Sequence, residues 1–192
     1  YHDVGKLRRP YFFIENQIPG DNPHEKLSPN LSTLIIISHV RDGVEIAKSY
    51  GVPSSIIDLI EQHHGTDLIR YFYQQASNAV QEEKETIAET DFSYPGPKPQ
   101  TKEAAVVMLA DSVEAATRAK RKPSSARLEA VVDQIFQDRL ESGQLDETNL
   151  TLGDLDKIKA AFLKVLGGIY HHRIKYPEAI PAERKKLNGD NR

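Results

Sequence analysis

The chain has 192 residues, 39% of them hydrophobic, which is enough for one domain with a substantial core. Its 25 basic and 28 acidic residues leave a formal charge of −3, which excludes the basic surplus of a dedicated nucleic-acid binder. Cysteine is absent, so disulfides and thiolate zinc sites are excluded, and any metal must be held by His, Asp or Glu.

The segment before residue 28 opens in mid-motif, at Tyr1-His2-Asp3, and reads as a fragment of something longer. Ser28-Pro29 predicts a helix start, with Pro in the first turn where its missing N–H costs nothing. That helix runs from Leu31 to Tyr50 and closes at Gly51. Leu34 to Ile37 resembles a buried strand, but Val40, Val44 and Ala47 continue at helical spacing. Val52-Pro53-Ser54 opens a second helix through Ile56, Ile57 and Ile60, stopped by Gly65 just after His63-His64.

Thr66 to about Thr90 reads as a further helix, and residues 91–100, with three Pro and a Gly, as a surface loop. Thr101 caps a helix through Arg118, followed by a basic connector, Lys120 to Pro123. Ser124 to Glu141 is amphipathic, with Leu128, Val131, Val132 and Ile135 on one face. Thr151 and Asp154 form a capping-box pattern, and Leu155, Ile158, Phe162, Val165 and Ile169 recur behind it at helical spacing. The tail after Pro177 is polar. No segment alternates with period two, no stretch approaches about twenty apolar residues, and the expected fold class is all-α.

Four of the 7 His, with two Asp, form a suggestive set: His2, Asp3, His39, His63, His64 and Asp111. Some of them have a bland alternative. His39 on an apolar helical face suits a satisfied core histidine, and His63-His64 suits a helix C-terminus, where cationic His complements the dipole. Asp111 is harder to dismiss, because it shares a face with Ala104, Val107, Met108 and Ala115. An ionised carboxylate there is costly unless a cation or donors satisfy it. Surrounding metal would explain all six residues together. Two ions about 3.5–4 Å apart, bridged by one Asp, can hold a hydroxide for in-line attack at phosphorus.

His2-Asp3-Val4-Gly5-Lys6 resembles the HDxGK signature of HD-domain phosphohydrolases. More narrowly, HDVGKLRRPYFFIENQIPGDNPHEKLSP, ISHVRDGVEIAKSYGVP, EQHHGTDLIRYFY and MLADSVEAATRA resemble the seven-transmembrane HD family, PgpH type, over residues 1 to about 177. That resemblance implies an HD-domain helical bundle at 1–177 with the metal site in its core, and a polar, disordered tail at 178–192. It implies the cytoplasmic domain of a bacterial membrane protein, a phosphodiesterase hydrolysing cyclic di-AMP to linear pApA with two divalent ions, iron or manganese. His2, Asp3 and Asp111 would serve one ion, and Asp3 as bridge with His39, His63 and His64 the other. Lys6 would neutralise a substrate phosphate. Family members carry a further His on a preceding helix, before the point where this sequence begins.

Two other readings stay open. One keeps the metals and changes the substrate to cyclic di-GMP or a nucleoside mono- or triphosphate. Against cyclic di-GMP, Gly-Thr-Asp follows His63-His64 in place of the GYP motif of that branch. The other is a nucleotide-sensing module without catalysis. Among lesser candidates, His171-His172 suits a helix end and His24 a solvated loop. Arg8 and Arg9 can steer an anion or decorate the surface. Of Tyr71, Phe72 and Tyr73, at least two are expected in the core, leaving one to stack on a base. Glu114 and Arg118 suit an i,i+4 pair, and Gln81 to Glu85 a solvated face.

Overall fold

The computed structural model describes residues 1–18, 20–80, 87–118 and 123–171. Among them there are six α-helices and no strand: α1 Pro29–Ser49, α2 Ser54–Gln62, α3 Arg70–Val80, α4 Lys102–Arg118, α5 Ser125–Glu141 and α6 Leu152–His171. The all-α expectation holds. None of these helices is long and apolar enough to cross a membrane.

The helix starts follow the expected chemistry. Ser28 Oγ accepts from the Leu31 amide at 3.3 Å, with Pro29 next to it. Thr101 Oγ1 accepts from Ala104 N at 3.1 Å, and Ser124 Oγ caps α5. At α6 the capping box is reciprocal, with Thr151 Oγ1 accepting from Asp154 N and Asp154 Oδ2 from Thr151 N, each at 3.1 Å. The strand-like run Leu34–Ile37 lies inside α1.

α4 is the central wall. Its Ala105, Met108, Leu109 and Val113 pack against Leu128, Val132 and Phe136 of α5 and Leu155 and Leu166 of α6. A smaller cluster joins Phe72 and Ala76 of α3 to Phe92. Between the two, α2 packs on both α1 and α4.

Three expectations need correction. The helix from Thr66 to Thr90 does not exist as one piece, because α3 starts only at Arg70. Before it the backbone is extended and paired: Ile69 N donates to Phe92 O at 2.8 Å and Tyr94 N to Asp67 O at 3.0 Å. That pairing satisfies amide groups a helix would otherwise claim. Residues 91–100 are, for the same reason, no simple surface loop, since Phe92 is fully buried and Tyr94 is only 8% exposed. Gln62 Oε1 accepts from Gln100 N at 2.9 Å and pins the far end of this segment. On α6, Leu155, Ile158 and Phe162 do face the core, but Val165 and Ile169 are exposed, and Leu166 and Tyr170 pack in their place. A three–four spacing averages 3.5 residues per turn, so over two heptads it falls behind a helix of 3.6.

The basic connector at 120–122, the acidic run at 81–85 and the tail from 172 onward lie outside the described residues, as does the expected boundary at Pro177.

The described residues before α1 pass through short 3-10 turns, Val4–Arg8, Pro10–Phe12, Ile14–Asn16 and Pro23–Lys26, the first of them laid over α1. Gly5 allows this approach. A Cβ at Gly5 would stand 1.8 Å from the His39 carbonyl oxygen and 2.5 Å from Gly43 N. Both neighbours are helix backbone and cannot yield. Gly5→Ala is therefore expected to push the first segment off α1 and destabilise the fold by about 1–3 kcal/mol. Thermal unfolding compared with the wild-type chain checks this.

Candidate metal centre

The six sequence candidates converge. His2 and Asp3 come from the turn before Val4–Arg8, His39 from mid-α1, His63 and His64 from the end of α2, and Asp111 from mid-α4. Their ligand atoms form two groups sharing one residue, Asp3 with His39, His63 and His64, and Asp3 with His2 and Asp111. This is the same partition that the resemblance implies. Asp3 Oδ1 lies 3.5 Å from His39 Nε2 and 3.9 Å from His63 Nε2. Asp3 Oδ2 lies 3.2 Å from His2 Nε2, which is itself 3.5 Å from Asp111 Oδ1. His64 Nδ1 closes the ring at 4.0 Å from Asp111 Oδ2.

Burial is graded across the site. His39 and His63 are buried, His64 and Asp111 partly so, and His2 and Asp3 more open. His39 Nδ1 sits 2.6 Å from Ile36 O and His63 Nδ1 2.8 Å from Ile60 O. A carbonyl only accepts, so in each ring Nδ1 carries the proton and Nε2 keeps its lone pair for the centre.

The charges follow from this packing. Burial lowers His39, His63 and His64; His63 falls to about 4, with His39 adding to the effect, and His64 lies well below its ordinary value, helped by His63. They are neutral, the form that binds metal. Burial opposes ionisation of Asp3, but hydrogen bonds from His2 and Lys6 outweigh it and hold the carboxyl well below the usual range. His2 is raised to about 9, first by its hydrogen bond to Asp111 and then by Asp3. Beside three neutral imidazoles, His2 and Lys6 supply positive charge at Asp3 Oδ2 but not at Oδ1. Asp3 Oδ1 is sealed from solvent and has no hydrogen-bond partner. A buried, ionised oxygen without a donor is costly, and a cation between it and the imidazole nitrogens removes the cost. The nitrogen and oxygen donors, without sulfur, suit borderline to hard divalent ions.

A family model described as HD domain matches residues 1–116. The chain belongs to the HD-domain family. Its members are metal-dependent phosphohydrolases, and a metal-binding role for this HD domain accords with its His/Asp cluster. It is 51% identical over 179 residues to the cyclic-di-AMP phosphodiesterase PgpH of Bacillus subtilis (strain 168), covering 93% of this chain and 25% of that protein. It is 46% identical over 178 residues to PgpH of Listeria monocytogenes serotype 1/2a (strain 10403S), covering 93% of this chain and 24% of that protein. The HD domain thus spans about a quarter of the length of these relatives. It also superimposes, with a TM-score of 0.84 and 44% identity, on the crystal structure of the L. monocytogenes PgpH HD domain in complex with cyclic-di-AMP, covering 88% of this chain and 78% of that one.

Beside the His/Asp cluster of this HD domain lies a cleft of about 370 Å³ reached by Lys6, Phe12, Phe13, His39, His64 and Asp111. Lys6 Nζ bonds Asp3 Oδ2 and Glu15 Oε1, each at 2.8 Å, and lies over the Phe13 ring. Tyr71 is exposed and lines the cleft, whereas Phe72 and Tyr73 pack with Phe92, as expected for two of the three. His24 departs from expectation: it is no solvated residue but is wedged between Phe12 and Phe72, with Nε2 2.9 Å from Phe12 O. Arg9 pairs with Asp42 at 2.9 Å and Arg8 with Glu45 at 3.8 Å, so both face α1. Glu114 and Arg118 form the i,i+4 pair. His171 ends α6, and the His171 side chain and His172 lie outside the described residues.

Two residues escaped the sequence. Tyr94 stacks on His64 with ring centroids 4.2 Å apart and 19° between planes; only its place before a Pro-Gly-Pro turn, anchored at Asp67, hints at this. Arg139, on α5, bonds Asp67 Oδ1 at 2.7 Å and Ser112 Oγ at 3.1 Å. It fastens the turn after His63-His64 to the residue after Asp111. Arg139→Met is expected to weaken metal retention about tenfold; titrating the loaded protein with a chelator checks this, with circular dichroism confirming an intact fold.

Proposed function

We propose that this chain is the catalytic HD domain of a cyclic di-AMP phosphodiesterase, opening the ring to linear pApA with two divalent ions, iron or manganese. The observation that carries it is Asp3, one carboxylate shared by two groups of metal-ligating side chains at the edge of a cleft with aromatic walls. His2 and Asp111 complete one site with it, and His39, His63 and His64 the other. The bound ions supply an activated water and neutralise charge developing on the phosphate oxygens.

The remaining work falls to the chain's own residues. Lys6 holds a non-bridging phosphate oxygen, its ammonium already fixed within reach of Asp3. Phe12, Phe13 and Tyr71 offer faces on which adenine stacks. His39 and His63, held by helix carbonyls, keep their Nε2 atoms aimed without reorganisation. The likeness to a domain crystallised with cyclic-di-AMP supports this substrate over cyclic di-GMP. The domain extends over 1–177, and the full protein carries it on the cytoplasmic side of a bacterial membrane.

Loaded with manganese, the protein is expected to bind two equivalents of metal and convert cyclic di-AMP to pApA, faster than cyclic di-GMP. Asp3→Ala should abolish turnover. Chromatography of the products decides: no pApA from the loaded protein, or faster loss of cyclic di-GMP, overturns the assignment. Tight nucleotide binding by a metal-free protein would mark a sensor instead.

A further inference from the structure

The cleft mouth is crossed by a chain of alternating charges, Asp3, Lys6, Glu15, Arg118 and Glu114. Lys6 Nζ lies 2.8 Å from both Asp3 Oδ2 and Glu15 Oε1. The other oxygen, Glu15 Oε2, lies 3.6 Å from an Arg118 guanidinium nitrogen, and Arg118 Nε donates to Glu114 Oε1 at 2.8 Å. Lys6, Glu15, Asp111, Glu114 and Arg118 all line the cleft.

The charge count poses a problem for an anionic substrate. With Asp3 and Asp111 turned to metal, the permanent cations among the described lining residues are Lys6 and Arg118, and each is neutralised by a glutamate. A phosphodiester entering beside the metals meets a mouth with no uncommitted positive charge. Glu15 alone touches both cations, one with each oxygen, as a phosphodiester would with its two non-bridging oxygens.

We infer that Lys6 and Arg118 form a phosphate seat at the rim of the metal centre, and that Glu15 is a resident counter-ion which the substrate's phosphate displaces. This rests on the phosphodiesterase reading. Glu15 is the member of the chain free to leave. It stands on the single turn Ile14–Asn16, beside an Ile14 that is 75% exposed, and its side chain is 32% exposed. Lys6 is held by Asp3 and the Phe13 ring, and Arg118 by Glu114 on its own helix. Partly exposed pairs of this kind exchange partners at little cost. Glu15 is thus a gating residue, and Lys6 and Arg118 contact substrate.

The test uses the manganese-loaded chain with Glu15→Gln, Arg118→Met and the double variant. Two readouts are needed, KM and kcat on cyclic di-AMP and calorimetric affinity for inorganic phosphate. Glu15→Gln should lower KM about fivefold, more than it moves kcat, and tighten phosphate binding to a similar degree. Glu15→Asp, which keeps the charge but shortens its reach, should give a smaller gain. Arg118→Met should weaken phosphate binding and erase the gain in the double variant. The inference is overturned if Glu15→Gln leaves both values unchanged or weakened, or if its gain survives loss of Arg118. Absence of turnover in every variant would sink the proposed substrate instead, with the phosphate measurement still deciding the seat.

Discussion

Everything in this HD domain turns on a carboxylate that protein groups leave half satisfied. Asp3 Oδ2 is bonded by Lys6 and His2, while Oδ1 is sealed with no donor of its own. Leaving an ionised oxygen in that state costs more than an ordinary hydrogen bond returns. His39 and His63, which stand nearest to it, cannot relieve it as donors, because burial keeps them neutral and their Nδ1 protons are committed to helix carbonyls. The fold has assembled an acceptor and a set of lone pairs around the same volume, an arrangement that a cation between them would relieve.

The surrounding structure supports this arrangement from three directions. α1 supports the first segment from below through the backbone contact at Gly5. Arg139 reaches from α5 to tie the α2 end to α4. Tyr94 covers His64 from the segment paired with residues 67–69. Each support comes from an element remote in sequence from the residue it steadies, so the ligands need no stiffness of their own.

This division explains what was legible beforehand. Asp111 and His39 were readable because their chemistry is rare on apolar helical faces, and His2 and Asp3 because they open the string HDVGK. Caps at Ser28, Thr101 and Thr151 were readable because capping is a local matter of a few residues. Tyr94 and Arg139 were not, since a stacking ring or a clamping guanidinium leaves no mark within its own neighbourhood in the sequence. Thr66 to Thr90 misled for a related reason: its helical composition is overruled by pairing with residues 92–94, some twenty-five positions away. Val165 and Ile169 misled by arithmetic, as a spacing right over one turn drifts over four.

The carbonyls of Ile36 and Ile60 orient His39 and His63 from three residues upstream in each case. Many metal-bound histidines are aimed by a second side chain, so their aim fails when that side chain is replaced. Here the aiming group is main chain, which every amino acid carries. The side chains at 36 and 60 are therefore free to serve packing alone, and the innermost geometry of the centre is written in helical backbone, indifferent to side-chain identity at both aiming positions.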